Sequence, residues 1–181
     1  MMRSKRFVRR FLTPGAALLP ALLLATCGGT SPTAPIEGCE GTLGQQVLDL
    51  VNQERAQQGL APLQLDLRLA AAAQGHSDDM AAGNFMSHTG SNGSSPRDRI
   101  EATGYPWVQL AENVAAGQPT PEAVMSAWMG SSGHRANILR GSSQHIGIGY
   151  RFGEGTRYGH YWTMNFGATG DAADTAPACH P

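Results

Sequence analysis

Lysine is all but absent from this chain of 181 residues; its one copy, Lys5, lies near the N-terminus. Past residue 26 the 13 basic residues fall by five to 8, all arginine, against 14 acids, a net charge of −6 with histidine neutral. Neither a basic stripe nor a positive field is left to meet phosphates, so a nucleic-acid-binding surface is excluded. Four catalytic signatures are also missing: Gly-x-Ser-x-Gly, Gly-x-Gly-x-x-Gly, the P-loop and His-Glu-x-x-His. Their absence removes the serine-hydrolase elbow, the dinucleotide and nucleotide cradles and the helical zinc-protease motif. Long apolar runs are limited to residues 11–25, and that run is broken by Pro14 and Pro20.

What is there begins at that run. Arg3, Lys5, Arg6, Arg9 and Arg10 precede it with no acid among them. A basic stretch before a short apolar core reads as a secretory signal, with an uncleaved anchor helix as the alternative. The following Leu24-Ala25-Thr26-Cys27-Gly28-Gly29 resembles a bacterial lipobox, with Thr26 where Gly or Ala is usual. That resemblance implies a lipidated Cys27 that anchors an exported chain to the membrane, facing the periplasm or exterior; without lipidation the chain would be secreted. Cys39 and Cys179 then remain, in a compartment that permits disulfides. A bridge between them would close a loop worth about 4–5 kcal/mol on the chain-entropy account; two free thiols are the alternative.

The boundaries read as a signal over 1–26, a flexible Pro/Thr/Ser/Gly-rich tether over 27–41, one folded domain over 42–168 and a tail over 169–181 carrying Cys179. Leu43, Val47, Leu50 and Val51 form a helical stripe that stops at Gly59. Asp66 caps a second helix whose apolar face carries Leu69, Ala73, Met80 and His76, and Gly83-Asn84 ends it. A third short helix spans 96–102, ending at Gly104, and Glu112 sits in a short extended or turn segment. Thr120-Pro121-Glu122 starts a helix with Val124, Ala127 and Trp128 inward, and a brief helix opens at Gly133-His134. From His145 the period changes to two, giving a hairpin of half-buried strands over 145–152 and 160–166. Helices followed by a short sheet indicate an α+β class.

His88, Glu112 and His134 are the residues with chemistry to offer. Two imidazoles and a carboxylate suit a divalent metal, Zn²⁺ especially, with an open position for water. They suit general acid/base work equally well. His76 reads as a core or supporting histidine, His145 as solvent-side, and His160 as the end of a hairpin. Trp128 and Trp162 read as core anchors, and Trp107 is left between core and rim.

One family gathers these pieces. Its carriers are Val51-Asn52 with Arg55, Gly59-Leu60-Ala61-Pro62-Leu63, His76-Ser77-Asp78-Asp79-Met80, Asn84-Phe85-Met86-Ser87-His88, Arg99-Ile100 with Gly104-Tyr105, and Ala111-Glu112-Asn113. Further on come Trp128-Met129-Gly130-Ser131-Ser132-Gly133-His134-Arg135-Ala136-Asn137-Ile138-Leu139, Ile146-Gly147-Ile148-Gly149-Tyr150 and Tyr161-Trp162-Thr163-Met164-Asn165-Phe166-Gly167. In this order they resemble the CAP superfamily, which contains cysteine-rich secretory proteins, insect venom allergens and plant pathogenesis-related proteins. The likeness is to its short bacterial secreted branch.

The resemblance implies a single-domain, three-layer α-β-α sandwich with a large cleft. Many members line that cleft with two His and two Glu that can bind Zn²⁺ or another divalent ion. His88, Glu112 and His134 match three of the four, and Ser131 stands at the place of the second Glu. Ala111 replaces the usual Gly before Glu-Asn, and Met164 stands where Gln is common. The implied function is a binding module for a divalent metal and for a lipid or peptide-like ligand. The alternative is a metal-assisted hydrolase, peptidase-like, with Glu112 as general base. A third reading keeps the cluster only as a polar network that holds the cleft together. The sequence names neither the ligand nor the oligomeric state.

Overall fold

A computed structural model describes residues 42–170. The signal, the tether, the tail beyond residue 170 and all three cysteines lie outside the described residues. Five helices and four strands follow in the order α1 (Leu43–Gln57), β1 (Gln64–Leu65), α2 (Leu67–Gly83), α3 (Pro96–Ala102), β2 (Trp107–Ala116), α4 (Pro121–Met129), α5 (Ser132–Ile138), β3 (His145–Phe152) and β4 (His160–Thr169).

The helix starts are written locally. Thr42 caps α1 by accepting from the Gln45 amide, Asp66 caps α2 through Arg68 and Leu69, and Thr120 caps α4 with Pro121 at the first turn. Ser95 and Asp98 form a reciprocal capping box on α3. Asn84, at φ +51°, closes α2 in the left-handed conformation and turns the chain toward the loop over 85–95.

The sheet runs β1-β3-β4-β2, with β1 parallel to β3 and the other pairs antiparallel. Ile146, Ile148, Trp162, Met164 and Phe166 pack one face against Val47 and Val51 of α1, Val124 and Trp128 of α4, and Ile138 of α5. The other face takes α2: Ser77 Oγ bonds Thr163 Oγ1 at 3.0 Å, and Met80 packs with Tyr161 and Val114. The sheet is thus the middle layer of the α-β-α sandwich that the family resemblance implied.

Several expectations change. The 145–152 strand is buried on both faces at its start, because Gly147 and Gly149 let α2 lie directly on it. A Cβ at Gly147 would stand 2.1 Å from the Ala70 nitrogen. His145 is consequently not solvent-side; it is 4 % exposed and its Nδ1 meets the Tyr105 hydroxyl at 2.8 Å. On α4 it is Met125, not Ala127, that joins Val124 and Trp128 in the core; Ala127 is exposed. The segment around Glu112 is a full ten-residue strand, hidden from a period-two reading by buried polar residues. Trp107 bonds Glu101 and lies over the Arg97 guanidinium, so it serves α3.

Candidate functional site

Three elements deliver the site. Glu112 sits mid-way along β2 on the face shared with α2, and its register partner is Asn165 of β4. His88 lies in the loop that leaves α2, and α3 returns from that loop carrying Arg99. His134 comes from α5, which lies against β2: Asn137 donates to the Glu112 carbonyl and to Asn113 Oδ1, and Asn113 donates to the His134 carbonyl.

The His88 loop is short of apolar residues and is held by hydrogen bonds. Its backbone closes on itself through Gly90 N to Ser94 O and Gly93 N to Gly90 O, with Gly93 at φ +85°. Asp79 of α2 accepts from the backbone N–H and hydroxyl of Ser91. His76, also of α2 and fully buried, meets the Ser87 carbonyl at 2.7 Å through Nε2. A carbonyl only accepts, so Nε2 carries the proton, and Nδ1 is left without a partner. Burial is the main reason the His76 pKa lies below its ordinary value; Arg99 adds to that, while Ser87, Glu112 and Asp79 oppose it.

At the centre, Glu112 accepts from both sides. His88 Nδ1 lies 2.8 Å from Oε1, and the Arg99 guanidinium lies 2.7 Å from Oε2. Asn165, in the amide orientation that satisfies both its ends, donates to Oε2 at 3.2 Å. The Glu112 side chain is 1 % exposed and Arg99 12 %, whereas His88 is 53 % exposed. Arg99 also donates to the carbonyls of Ser94 (2.9 Å) and His88 (3.1 Å).

The chemical consequence is specific. The carboxylate is neutralised by a guanidinium, and its oxygens face protein donors. It fixes the imidazole with Nδ1–H inward and so turns the Nε2 lone pair outward. His134 is half-buried, and burial, with a smaller contribution from the charge of His88, holds its pKa below the ordinary histidine value. A neutral imidazole has a lone pair to give. Among the described residues, no group of three or more His, Cys, Asp or Glu side chains is arranged to hold a metal ion.

His88 and Glu112 are therefore in direct contact. His134 is linked to β2 through the Asn113 side-chain amide, which donates to its carbonyl, and lies within electrostatic range of His88. Ser131 is the N-cap residue of α5 and its side chain makes no capping bond. Arg99 is the member that sequence reasoning missed: it appeared only as part of a family motif. A buried carboxylate in a chain this poor in cations has few candidate counter-charges, and that scarcity was the available signal.

Residues 48–166 match the family described as CAP: Cysteine-rich secretory protein family. The chain belongs to the CAP family. Among curated relatives, it is 39% identical over 142 residues to the uncharacterized protein YkwD of Bacillus subtilis (strain 168), covering 78% of this chain and 53% of YkwD. It is 35% identical over 125 residues to the uncharacterized membrane protein YlbC of the same strain, covering 69% of this chain and 34% of YlbC. This CAP chain thus spans about half the length of the first relative and a third of the second. Among solved structures, an extracellular protein containing an SCP domain from Bacillus anthracis str. Ames matches with a TM-score of 0.63 and 31% identity, over 70% of this chain and 40% of that one.

Proposed function

We propose that this CAP chain works outside the cytoplasm as a binding module. In this reading the His88 and His134 imidazoles take a divalent metal ion, Zn²⁺ foremost, and a lipid or peptide-like ligand fills the remaining positions. The observation that carries it is the His88–Glu112 contact at 2.8 Å, which leaves an exposed imidazole nitrogen oriented by a buried carboxylate. A carboxylate behind a ligating histidine is the usual supporting partner at metal sites. Imidazole suits zinc, copper and nickel.

Glu112 is not counted among the donors here, because the Arg99 guanidinium neutralises its charge and each oxygen already accepts a hydrogen bond. The reading therefore rests on the two imidazoles, with Glu112 as the group that orients His88. Bound there, the metal would supply Lewis-acid attraction for an anionic or carbonyl-bearing ligand.

Export is supported by the basic and apolar N-terminal pattern, by the extracellular description of the B. anthracis protein and by the membrane description of YlbC. Among the described residues no helix is long and apolar enough to cross a membrane. Lipidated Cys27 is the proposed anchor, with 1–26 removed, 27–41 as the tether and Cys39–Cys179 as the closing bridge.

One feature favours a second reading, a hydrolase in which the outward nitrogen of His88 takes a proton instead of a metal. A carboxylate-oriented imidazole with a free outward nitrogen is the arrangement of a general base. His88 would then take the proton, and Glu112 would hold it in place.

Calorimetric titration with Zn²⁺ tests the proposal on wild type, His88→Ala, His134→Ala and the double variant, each checked by thermal melting. One saturable site is expected in wild type, with at least a tenfold loss in each single variant. No saturable binding, or binding indifferent to the double variant, would remove the metal from this reading.

A further inference from the structure

We infer that Arg99 determines which cations this site accepts: by occupying Glu112 it shuts out oxygen-preferring ions and leaves a metal only the imidazoles. The inference rests on the reading of His88 and His134 as donors and assigns the selectivity of that same site.

Both oxygens of the carboxylate carry donors. Oε2 receives the Arg99 guanidinium at 2.7 Å and the Asn165 amide at 3.2 Å, and Oε1 receives His88 at 2.8 Å. A guanidinium stays protonated at any physiological pH, so its charge cannot be displaced by losing a proton. Nor is it free to swing aside, since its terminal nitrogens also hold the Ser94 and His88 carbonyls and its Nε is buried. An incoming cation would meet that fixed positive charge on the one carboxylate within the cluster. Asp79 and Asp98, the other acids against the loop, are taken up by Ser91 and Ser95.

Ca²⁺ requires six to eight oxygen ligands, and Mg²⁺ is bound through one or two carboxylates. Mn²⁺ shares their preference for oxygen. None of these ions can draw on Glu112 while Arg99 holds it. Zn²⁺, Cu²⁺ and Ni²⁺ accept imidazole nitrogen and are not excluded. Arg99 also ties the two halves of the site together, because the same side chain bridges the His88 loop and the β2 carboxylate. Loop position and cation choice are thereby set by one residue.

Mn²⁺ binding, followed by electron paramagnetic resonance of the free ion, reads this directly. Wild type is expected to show no saturable Mn²⁺ binding into the millimolar range. Arg99→Met, which removes the fixed positive charge from the carboxylate, should gain a saturable site at least tenfold tighter, and Arg99→Met/Glu112→Gln should lose it. Arg99→Lys keeps a charge beside Glu112 and should restore the exclusion. An Arg99→Met chain that is merely less stable, with unchanged cation preference, would overturn the inference.

If Arg99→Met does not fold, wild type still decides. Saturable Mn²⁺ or Ca²⁺ binding that Glu112→Gln abolishes would overturn the inference, and the lack of such binding supports it. The two readings fail separately. Loss of the zinc site is read from the histidine variants, while the Mn²⁺ gain is read from Arg99 and Glu112.

Discussion

Arg99 and Glu112 meet at 2.7 Å with side-chain exposures of 12% and 1%, which makes them a buried pair. Surface ion pairs contribute about 0–1 kcal/mol. Removing one partner of a buried pair is different in kind, since the other is left charged without compensation, at a cost of about 3–5 kcal/mol.

Glu112→Ala is therefore expected to lower the unfolding free energy by about 3–5 kcal/mol, read from urea denaturation. Arg99→Met/Glu112→Leu, which removes both charges, should recover most of that loss. If the double variant instead shows the sum of the two single losses, the pair is not coupled.

Acid should destabilise the domain earlier than its carboxylates alone would. His76, His134 and His145 all have pKa values held below 6.5, in each case mainly by burial. For His145, Arg68 adds to the depression and Asp66 opposes it, while burial pushes the neighbouring Tyr105 hydroxyl above its ordinary value, so it stays a donor. The unfolded chain thus binds protons that the folded chain refuses. Stability is complete above about pH 6.5 and falls as pH drops below it. Asp66 and Asp79 are held below 3.8, so their contributions are lost only at lower pH. Melting temperature is expected to decline from pH 7 to pH 5, and His145→Gln should make that slope shallower. A flat profile over that window would contradict the burial assigned to these rings.

Gly147 and Gly149 set the distance between β3 and α2. A Cβ at Gly149 would stand 2.3 Å from the Ala73 carbonyl carbon, and one at Gly147 2.1 Å from the Ala70 nitrogen. Both obstacles are backbone, which no rotamer change can clear. Gly147→Ala is expected to cost about 3 kcal/mol or more, at or beyond the upper end of ordinary overpacking. Chemical denaturation would show it; a loss under about 1 kcal/mol would mean that α2 lifts freely.

Much of this arrangement was legible because it is locally encoded. Asp66, Thr120-Pro121 and the left-handed Asn84 mark helix ends within a few residues of where they act. The family match then supplied His88, Glu112 and His134 together. What stayed hidden depends on long-range packing. His145 reads as solvent-side only if the glycine face of its strand is open, and that face is covered by a helix some 70 residues earlier in the chain. β2 escaped notice because Glu112 and Asn113 interrupt its apolar pattern; both are buried, one in the ion pair and one bonded to α5. Arg99 looks like any arginine on a short polar helix until the fold brings Glu112 to it.

Cys27 carries the proposed anchor, and the chemistry sets what should be seen. Each buried methylene of an acyl chain contributes about 0.8 kcal/mol, so two chains hold a protein on a bilayer where one does so only marginally. A domain with a net charge of −6 past residue 26 has no electrostatic reason to stay on an anionic membrane without them. Produced in a bacterial host, wild type is expected in the membrane fraction and the detergent phase, and Cys27→Ser in the soluble fraction. Thr26→Gly, which restores the usual small residue before the cysteine, should raise the share of processed chain. In the Cys27→Ser chain, thiol titration should find none before reduction and two after, from Cys39 and Cys179. Wild-type chain recovered from the medium with a reactive Cys27 thiol would leave the protein exported but unanchored.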